Sequence, residues 1–367
     1  MILNDFSSLV HRSIHYSVSR SKAKLVNGKY RTEDFINFTL HRILMEIIEF
    51  DIKYSKVYGN TIICLDDHSK RYWRRDVYED YKKSRRAARE ESEIQYEEIF
   101  VYINELVEVL RSHSPWKVFE VPGAEADDTI AILAKRYSQF EPVLIVSPDK
   151  DMIQVHKYGN IKQYSCLTNK FITEETKGSK EDWRLSHVIL GDESDGVPKI
   201  VDECNFSENF KKHLINSNCP FLEVLEFEDN LTREQREVYF SSFDVYKTNR
   251  KGEPTELDIY EKPRFGKLQI KKNIELHGSL EKWLESDELL KRHYERNAIL
   301  VLEENIPQEL IVDTIDRFNT ATKTFSKIDL DNYLTKFRLS EVKMEFQKIL
   351  HRYDSYQEPL SASNCGW

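Results

Sequence analysis

The chain has 367 residues, a formal net charge of −9, and 40% hydrophobic and 12% aromatic residues. That length can bury a large core, in one large domain or two moderate ones, and no apolar run approaches a membrane span. Five scattered cysteines (Cys64, Cys166, Cys204, Cys219, Cys365) form no CxxC pair. With no secretory signal at the start, they argue against a disulfide framework or zinc site, and a soluble protein of a reducing cytoplasm is expected.

In chain order, Met1–Asp5 reads as a short apolar strand ending in aspartate, leading into a polar helical stretch near 7–20. A helix from Thr32 to Tyr54 carries Phe35, Phe38, Ile43, Ile47 and Phe50 at roughly helical spacing. Thr61–Asp66 is a second strand ending in aspartate. Residues 72–111 are charged and helical in pattern, with breaks expected near Ser84 or Ser92. Trp116–Val121 is strand-like, and Glu125–Tyr137 is a helix with Ile130, Leu133 and Ala134 on its apolar face. Val143–Asp149 is the third strand to end in aspartate, followed at once by Lys150-Asp151, and Asn160–Tyr164 is a further strand. Such alternation predicts an α/β fold, with right-handed crossovers, a mainly parallel central sheet and flanking helices.

Beyond about residue 180 the pattern becomes mainly helical. Residues 199–262 hold an acidic segment and a polar loop, Lys247–Pro254. Residues 266–302 read as two helices joined by His277-Gly278-Ser279, with Ser279 capping the second. The expected organisation is an α/β domain over 1–185, a helical domain over 186–355 with an insertion at about 199–262, and a flexible tail over 356–367.

The three strand-end aspartates carry the first chemical signal. Each alone is ordinary, because aspartate is common where a strand hands over to a turn. Together, Asp5, Asp66 and Asp149, with Asp151 two residues on, would gather at the carboxyl edge of a parallel sheet, where ligands of such sheets sit. Clustered carboxylates stay ionised only beside cations, so a divalent-metal site is the simplest reading. Glu125-Ala126-Asp127-Asp128 opens a helix. Acids favour a first turn, yet three carboxylates in four residues exceed what capping needs. Glu125 and Asp128 share a face at i,i+3, and Asp127 points elsewhere. Gly191–Pro198 is either a polar turn or a source of two more ligands, Asp192 and Asp195.

The second signal is basic. Lys70 to Arg89 holds nine Lys/Arg against three acids. If helical, Lys82, Arg85, Arg86 and Arg89 share a face. A charge run is usually a solvated surface. Here aromatics interleave with the cations, which suits phosphate pairing and base stacking. No HExxH, GxSxG, Walker or GxGxxG pattern is present.

The ordered segments Cys64-Leu-Asp-Asp, Tyr72-Trp-Arg-Arg-Asp, Tyr81-Lys-Lys-Ser-Arg85, Glu125-Ala-Asp-Asp128, Ser147-Pro-Asp-Lys-Asp151 and Gly191-Asp-Glu-Ser-Asp195 resemble the 5′-nuclease (flap endonuclease) superfamily, in particular its bacteriophage ribonuclease H branch of 5′-to-3′ exonucleases. The likeness runs over most of residues 1–340. It implies a metal-dependent nuclease that removes RNA primers and adjacent DNA from 5′ ends during phage-type replication. Two Mg²⁺ ions, replaceable by Mn²⁺, are implied. Asp5, Asp66, Glu125, Asp127 and Asp149 would surround the first and Asp151, Asp192 and Asp195 the second, with Asp128 a further candidate.

By the same resemblance Lys82 and Arg85 would act at the scissile phosphate, with Asp66 and Asp149 as catalytic carboxylates. Arg74, Arg75, Tyr81, Lys83, Arg86 and Arg89 would serve a nucleic-acid-binding arch over about 71–99. Gly266 and Lys267 would belong to a split helix-turn-helix that grips duplex backbone, begun by Gly191–Pro198. The family's Gly-x-Gly hairpin is reduced here to Arg264-Phe-Gly-Lys267, which weighs against a monovalent-ion site. Implied partners are DNA and RNA–DNA hybrids with 5′ ends, flaps or forks, a single-stranded-DNA-binding protein or sliding clamp, and no membrane. A monomer in the host cytoplasm is expected. Two other readings stay open: a structure-specific DNA-binding protein with a degenerate metal site, and an aspartyl-phosphate-type phosphohydrolase, which lacks the threonine expected after its aspartate pair and leaves the basic run unexplained.

Overall fold

Ile2 and Leu3 are wholly buried in the centre of a six-stranded sheet. In the computed structural model, which describes residues 1–173, 180–201, 246–248, 254–256, 265–321 and 327–353, β1 (Ile2–Asp5) passes directly into α1 (Phe6–Arg20). A small hairpin, β2 (Leu25–Val26) and β3 (Lys29–Tyr30), precedes α2 (Ile36–Tyr58) and β4 (Thr61–Cys64). Then come α3 (Arg74–Val77), α4 (Ser84–Glu91), α5 (Tyr96–His113), β5 (Lys117–Phe119), α6 (Ala126–Tyr137) and β6 (Val143–Val146). A 3₁₀ helix, Asp151–Tyr158, leads to β7 (Ile161–Ser165), β8 (Lys170–Ile172) and α7 (Lys180–Leu190).

The sheet order is β5-β4-β1-β6-β7-β8. All neighbours are parallel except β7 and β8, which form an antiparallel edge. Successive strand residues face opposite sides. Leu3, Ile62, Cys64, Val143 and Ile145 therefore join Ile130, Leu133 and Ala134 of α6 in one core, while Ile63 and Leu65 join α1, α2 and α5 in another. The parallel register sets Asp5 opposite Cys64 and Asn4 opposite Val146. The three strands therefore end at one edge.

The continuous pattern over 72–111 resolves into α3, α4 and α5, broken at Tyr78–Lys83 and at Ser92–Gln95. Lys82 lies before α4, with φ +57°. The helical face expected to run from Lys82 to Arg89 therefore does not exist as one face.

Two compact units divide the chain, and they depart from a simple N- and C-terminal split. The first comprises 1–185, 194–197 and everything from 298 onward; the second comprises 186–193 and 198–297. The helices α11 (Gln308–Thr320), α12 (Lys327–Lys336) and α13 (Ser340–Tyr353) belong to the first unit, not to a helical domain over 186–355. Their apolar faces explain this. Leu330, Tyr333, Leu334, Val342, Phe346 and Ile349 are buried with the residues of α2 and α5, and Phe346 meets Trp116 edge-on at 5.2 Å.

Within the second unit, β9 (Tyr246–Thr248) pairs antiparallel with β10 (Pro254–Glu256). There α8 (Lys267–His277), α9 (Leu280–Glu285) and α10 (Glu288–Val301) follow one another, the last turn of α10 passing into the first unit. Gly278, at φ +85°, ends α8 in the left-handed conformation that glycine adopts without strain. Ser279 caps α9, its Oγ accepting from the Lys282 amide at 3.2 Å. Asn297 donates to the carbonyls of Val188 and Pro198 at 3.0 and 2.7 Å. Most of the expected insertion, and the tail from 354, lie outside the described residues. No described helix is long and apolar enough to cross a membrane.

Candidate metal and phosphate site

At the carboxyl edge of the sheet, Asp5 does two things at once. Its Oδ1 accepts from the Ser8 amide at 2.9 Å, capping α1, and its Oδ2 accepts from Ser147 Oγ at 2.7 Å. The same Ser147 Oγ accepts from the Asp149 amide at 3.1 Å, so one buried hydroxyl ties the end of β1 to the turn after β6. Asp66 links two helix starts. Its Oδ2 accepts from Ser7 Oγ at 2.7 Å and its Oδ1 from the Ala126 amide, at the first position of α6, at 2.8 Å. Helix N-termini carry unpaired amides and partial positive charge, which hold these carboxylates in place.

Asp127, in the first turn of α6, is held near Asp149, Asp5 and Glu125. Burial first, then Asp149 and Asp5, push its pKa well above the carboxylate range. Asp149 is pushed up to about 6, by burial, Asp151 and Asp5, despite the Asp151 amide that donates to it at 2.8 Å. Asp5 is raised as well, mainly by burial. The Asp149 side chain turns back on that amide, and Asp151 opens a 3₁₀ helix. The strand therefore does not continue through Asp149–Asp151. Hard oxygen donors that are buried (Asp5) or half-buried (Asp127 and Asp149) and mutually repelling are the donor chemistry of a Mg²⁺- or Mn²⁺-type cation, whose charge removes the repulsion. The residues present fit such an ion.

Facing this acidic set is a cationic turn. Lys82 pairs with Glu125, and its Nζ lies 3.4 Å from Asp195. The Tyr81 hydroxyl lies 2.8 Å from Glu125 Oε2 and 2.9 Å from Asp195 Oδ2, its single proton donated to one of them at a time. Arg85 pairs with Asp195 and donates to the Ser194 carbonyl at 2.9 Å. Burial disfavours the Lys82 ammonium, but Glu125 and Asp195 outweigh it and raise its pKa. Burial likewise pushes Asp195 up, yet Lys82 and Arg85 hold it below the usual carboxylate range. The Lys82 amide donates to the Asp195 carbonyl at 2.8 Å. The two turns lie so close that a Cβ on Gly196 would stand 3.3 Å from the Asp80 carbonyl oxygen.

Several expected roles change on this geometry. Asp128 is not among the repelling carboxylates. Arg74 reaches both its oxygens, at 2.8 and 2.9 Å, Trp73 donates from its indole at 3.1 Å, and the Glu125 amide donates at 3.0 Å. Asp128 is a buried helix cap in an ion pair. Arg74, expected on nucleic acid, is buried between Asp128 and Glu125 and donates from Nε to the Leu300 carbonyl at 2.8 Å. Tyr81 is buried on the two carboxylates, so its ring is not free to stack on a base.

Arg89 donates to His11 Nε2 at 3.3 Å and stands over the rings of Tyr96 and Phe100. Arg75 donates to the Lys70 carbonyl at 3.0 Å, and Lys83 pairs with Asp80 at 3.1 Å. The Arg86 side chain lies outside the described residues. Asp192 belongs to the second unit, 3.7 Å from His187 there, and Gly266 and Lys267 open α8 in that unit.

A second cluster, Asp67, His68 and Glu120, has ligand-like spacing. Its carboxylates are already engaged: Asp67 by the amides of Ser69 and Gly123 and by Ser69 Oγ, Glu120 by His68 and Arg111. It joins two loops. Sequence reasoning missed Ser147, whose only signal was its place ahead of Pro-Asp-Lys-Asp, and Ser7, which carried none.

Residues 1–183 match the model of the 5′-3′ exonuclease, N-terminal resolvase-like domain. This half of the chain belongs to that family. Named relatives are similar over part of their length. Ribonuclease H of Enterobacteria phage T4 is 34% identical over 197 residues, covering 53% of this chain and 64% of the relative. A 5′-3′ exonuclease of Buchnera aphidicola (subsp. Schizaphis graminum) is 35% identical over 38% of this chain and 48% of its own. The chain thus spans between about half and two thirds of the length of these relatives. Among solved structures, a bacteriophage T5 5′-exonuclease with bound zinc ions superposes with a TM-score of 0.50 at 15% identity, covering 94% of this chain and 99% of the other. A T5 flap endonuclease in a pseudo-enzyme–product complex with DNA and metal ions gives 0.51 at 15%, covering 94% and 98%. At that identity the likeness speaks for the fold: a mostly parallel sheet with flanking helices.

Proposed function

We propose that the protein is a metal-dependent 5′-to-3′ exonuclease and flap endonuclease acting on phosphodiester bonds near the 5′ ends of DNA and RNA–DNA hybrids. The observation that carries this reading is the placement of Lys82 and Arg85 against the acidic edge. Two cations are held by Glu125 and Asp195, within the same unit as Asp5, Asp66, Asp127 and Asp149. A phosphodiester needs both halves: cations for its charged oxygens, and carboxylates for the metal.

In this proposal Asp5, Asp66, Glu125, Asp127 and Asp149 hold a first Mg²⁺ or Mn²⁺, and Asp151 and Asp195 contribute to a second. Asp192 is proposed as a ligand on its motif alone. Such ions, when bound, supply Lewis acidity that makes water nucleophilic near neutral pH and neutralises phosphate charge. The chain's own residues do the rest. Asp66 and Ser147 fix the positions of the carboxylates. Lys82 and Arg85 exchange their carboxylate partners for the non-bridging oxygens of the phosphate and stabilise the charge that grows there. Tyr81 keeps the cationic turn against Glu125 when those pairs open. Exposed Lys83 and Arg75, with Arg86, Arg89, Gly266 and Lys267, are proposed contacts to the nucleic-acid backbone. The finer reading is a monomeric nuclease that removes RNA primers in phage-type replication, in the host cytoplasm, beside a single-stranded-DNA-binding protein or sliding clamp. The name of the T4 relative, a phage ribonuclease H, supports the primer-removal and phage parts of this reading.

Incubation of the full chain with 5′-flap and nicked hybrid substrates tests the proposal. Release of short 5′ products with Mg²⁺, and none with chelator, is the expected result. Retained substrate binding without products in Mg²⁺ would select a structure-specific binding protein instead.

A further inference from the structure

We propose that Gln163 is a positioning residue for Asp149; the inference rests on the reading of Asp149 as a metal ligand. Gln163 stands on β7 in register with Ile145 of the adjacent β6 and is wholly buried. Its Nε2 donates to the carbonyl of Ser147 at 2.9 Å and to that of Asp149 at 2.5 Å. These two carbonyls flank Pro148, which has no amide hydrogen and restricts the residue before it. They converge on one side-chain amide only while the Ser147-Pro148-Asp149 turn keeps its shape. On its other side the turn is held by Ser147 Oγ, bridging Asp5 Oδ2 and the Asp149 amide.

The far end of the same side chain sharpens the argument. Gln163 Oε1 is buried and takes no hydrogen bond among the described residues, which is a penalty. A methionine or leucine would fill the space without that penalty. What glutamine contributes at this position is its pair of donors, and both are directed at the backbone that carries Asp149. Partners that orient a metal ligand from behind typically change metal affinity by about 10–100-fold when removed.

The test is a Mn²⁺ titration of the full chain, followed by the loss of the free-ion EPR signal, on wild type, Gln163→Met, Gln163→Asn and Asp149→Asn. Gln163→Met keeps the volume and removes the donors; Gln163→Asn keeps the amide but withdraws it by one methylene. Both are expected to weaken Mn²⁺ binding about tenfold or more; the metal-free Tm falls too, because the Ser147 and Asp149 carbonyls lose their donor, so binding is compared well below that Tm. If one variant does not fold, the other carries the comparison. Unchanged Mn²⁺ affinity in a folded Gln163 variant, with Asp149→Asn impaired, overturns the positioning role alone. Unchanged affinity in Asp149→Asn as well overturns the ligand reading on which it stands.

Discussion

The hydroxyl of Ser147 donates to the Asp5 carboxylate at 2.7 Å across the boundary between two parallel strands. Because the same oxygen accepts from the Asp149 amide, Ser147 fixes the spacing of two carboxylates that repel each other. Ser147→Ala removes both bonds and leaves a buried carboxylate one donor short. It is expected to destabilise the metal-free protein by about 2 kcal/mol. Denaturant unfolding in chelator measures this, and a loss well under half of that would show that Asp5 finds another donor.

Arg74 and Asp128 make a stronger prediction. Both are buried, and the guanidinium also serves Glu125 and the Leu300 carbonyl. Arg74→Met would strand Asp128 and half-strand Glu125, at a cost of about 3–5 kcal/mol. If Arg74 instead faced nucleic acid, the substitution would weaken substrate binding and leave Tm unchanged. Thermal unfolding alongside a binding titration separates the two.

Lys82 and Arg85 should separate chemistry from binding. Arg85→Ala removes a side chain that is 43% exposed, so stability should change by about 1 kcal/mol or less. Lys82 is only 12% exposed and its loss should cost more. For both, single-turnover cleavage of a flap substrate is expected to fall by about 10²–10³-fold, while affinity in chelator changes by less than about tenfold. Equal losses in rate and affinity would make them binding residues only.

His11 gives a pH dependence of stability. Its Nε2 accepts from Arg89, so the ring is neutral. Burial first, then Arg89 and His15, lower its pKa from 6.5 to about 4. In the unfolded chain the ring binds a proton near 6.5; in the fold it resists until about 4. This contribution is therefore fully present above pH 6.5, is lost progressively as pH falls toward 4, and is level below that. His11→Gln, which still accepts from Arg89, should lose about 1 kcal/mol less than wild type between pH 7 and 5, after allowance for partial exposure. Parallel losses in the two proteins would remove His11 as the cause.

The alternation of strand and helix, the parallel sheet and the three strand-end aspartates were legible in the sequence, because each depends on local periodicity and on the turn after a strand. The acids of the Glu125–Asp128 motif were legible as a group but not as individuals. Neighbours in a helix turn face different surroundings, and only packing sent Asp128 to Arg74 and Asp127 to Asp149. The basic run misled for a related reason. Counting charges treats every cation as solvated, whereas Arg74 is buried, and Lys82 sits on a left-handed turn that helical spacing cannot anticipate.

By itself the sequence determined which chemistry this protein carries: many carboxylates at strand ends, a basic stretch and an α/β alternation, all short-range patterns. Tertiary structure decided the assignment of each side chain. It set which carboxylates are compensated by cations and which are left to repel, and it set the return of α11 to α13 onto the first unit. These depend on contacts between residues far apart in the chain, such as Arg74 with Leu300, 226 positions apart, where burial changes the energy of a charge by more than any local preference does.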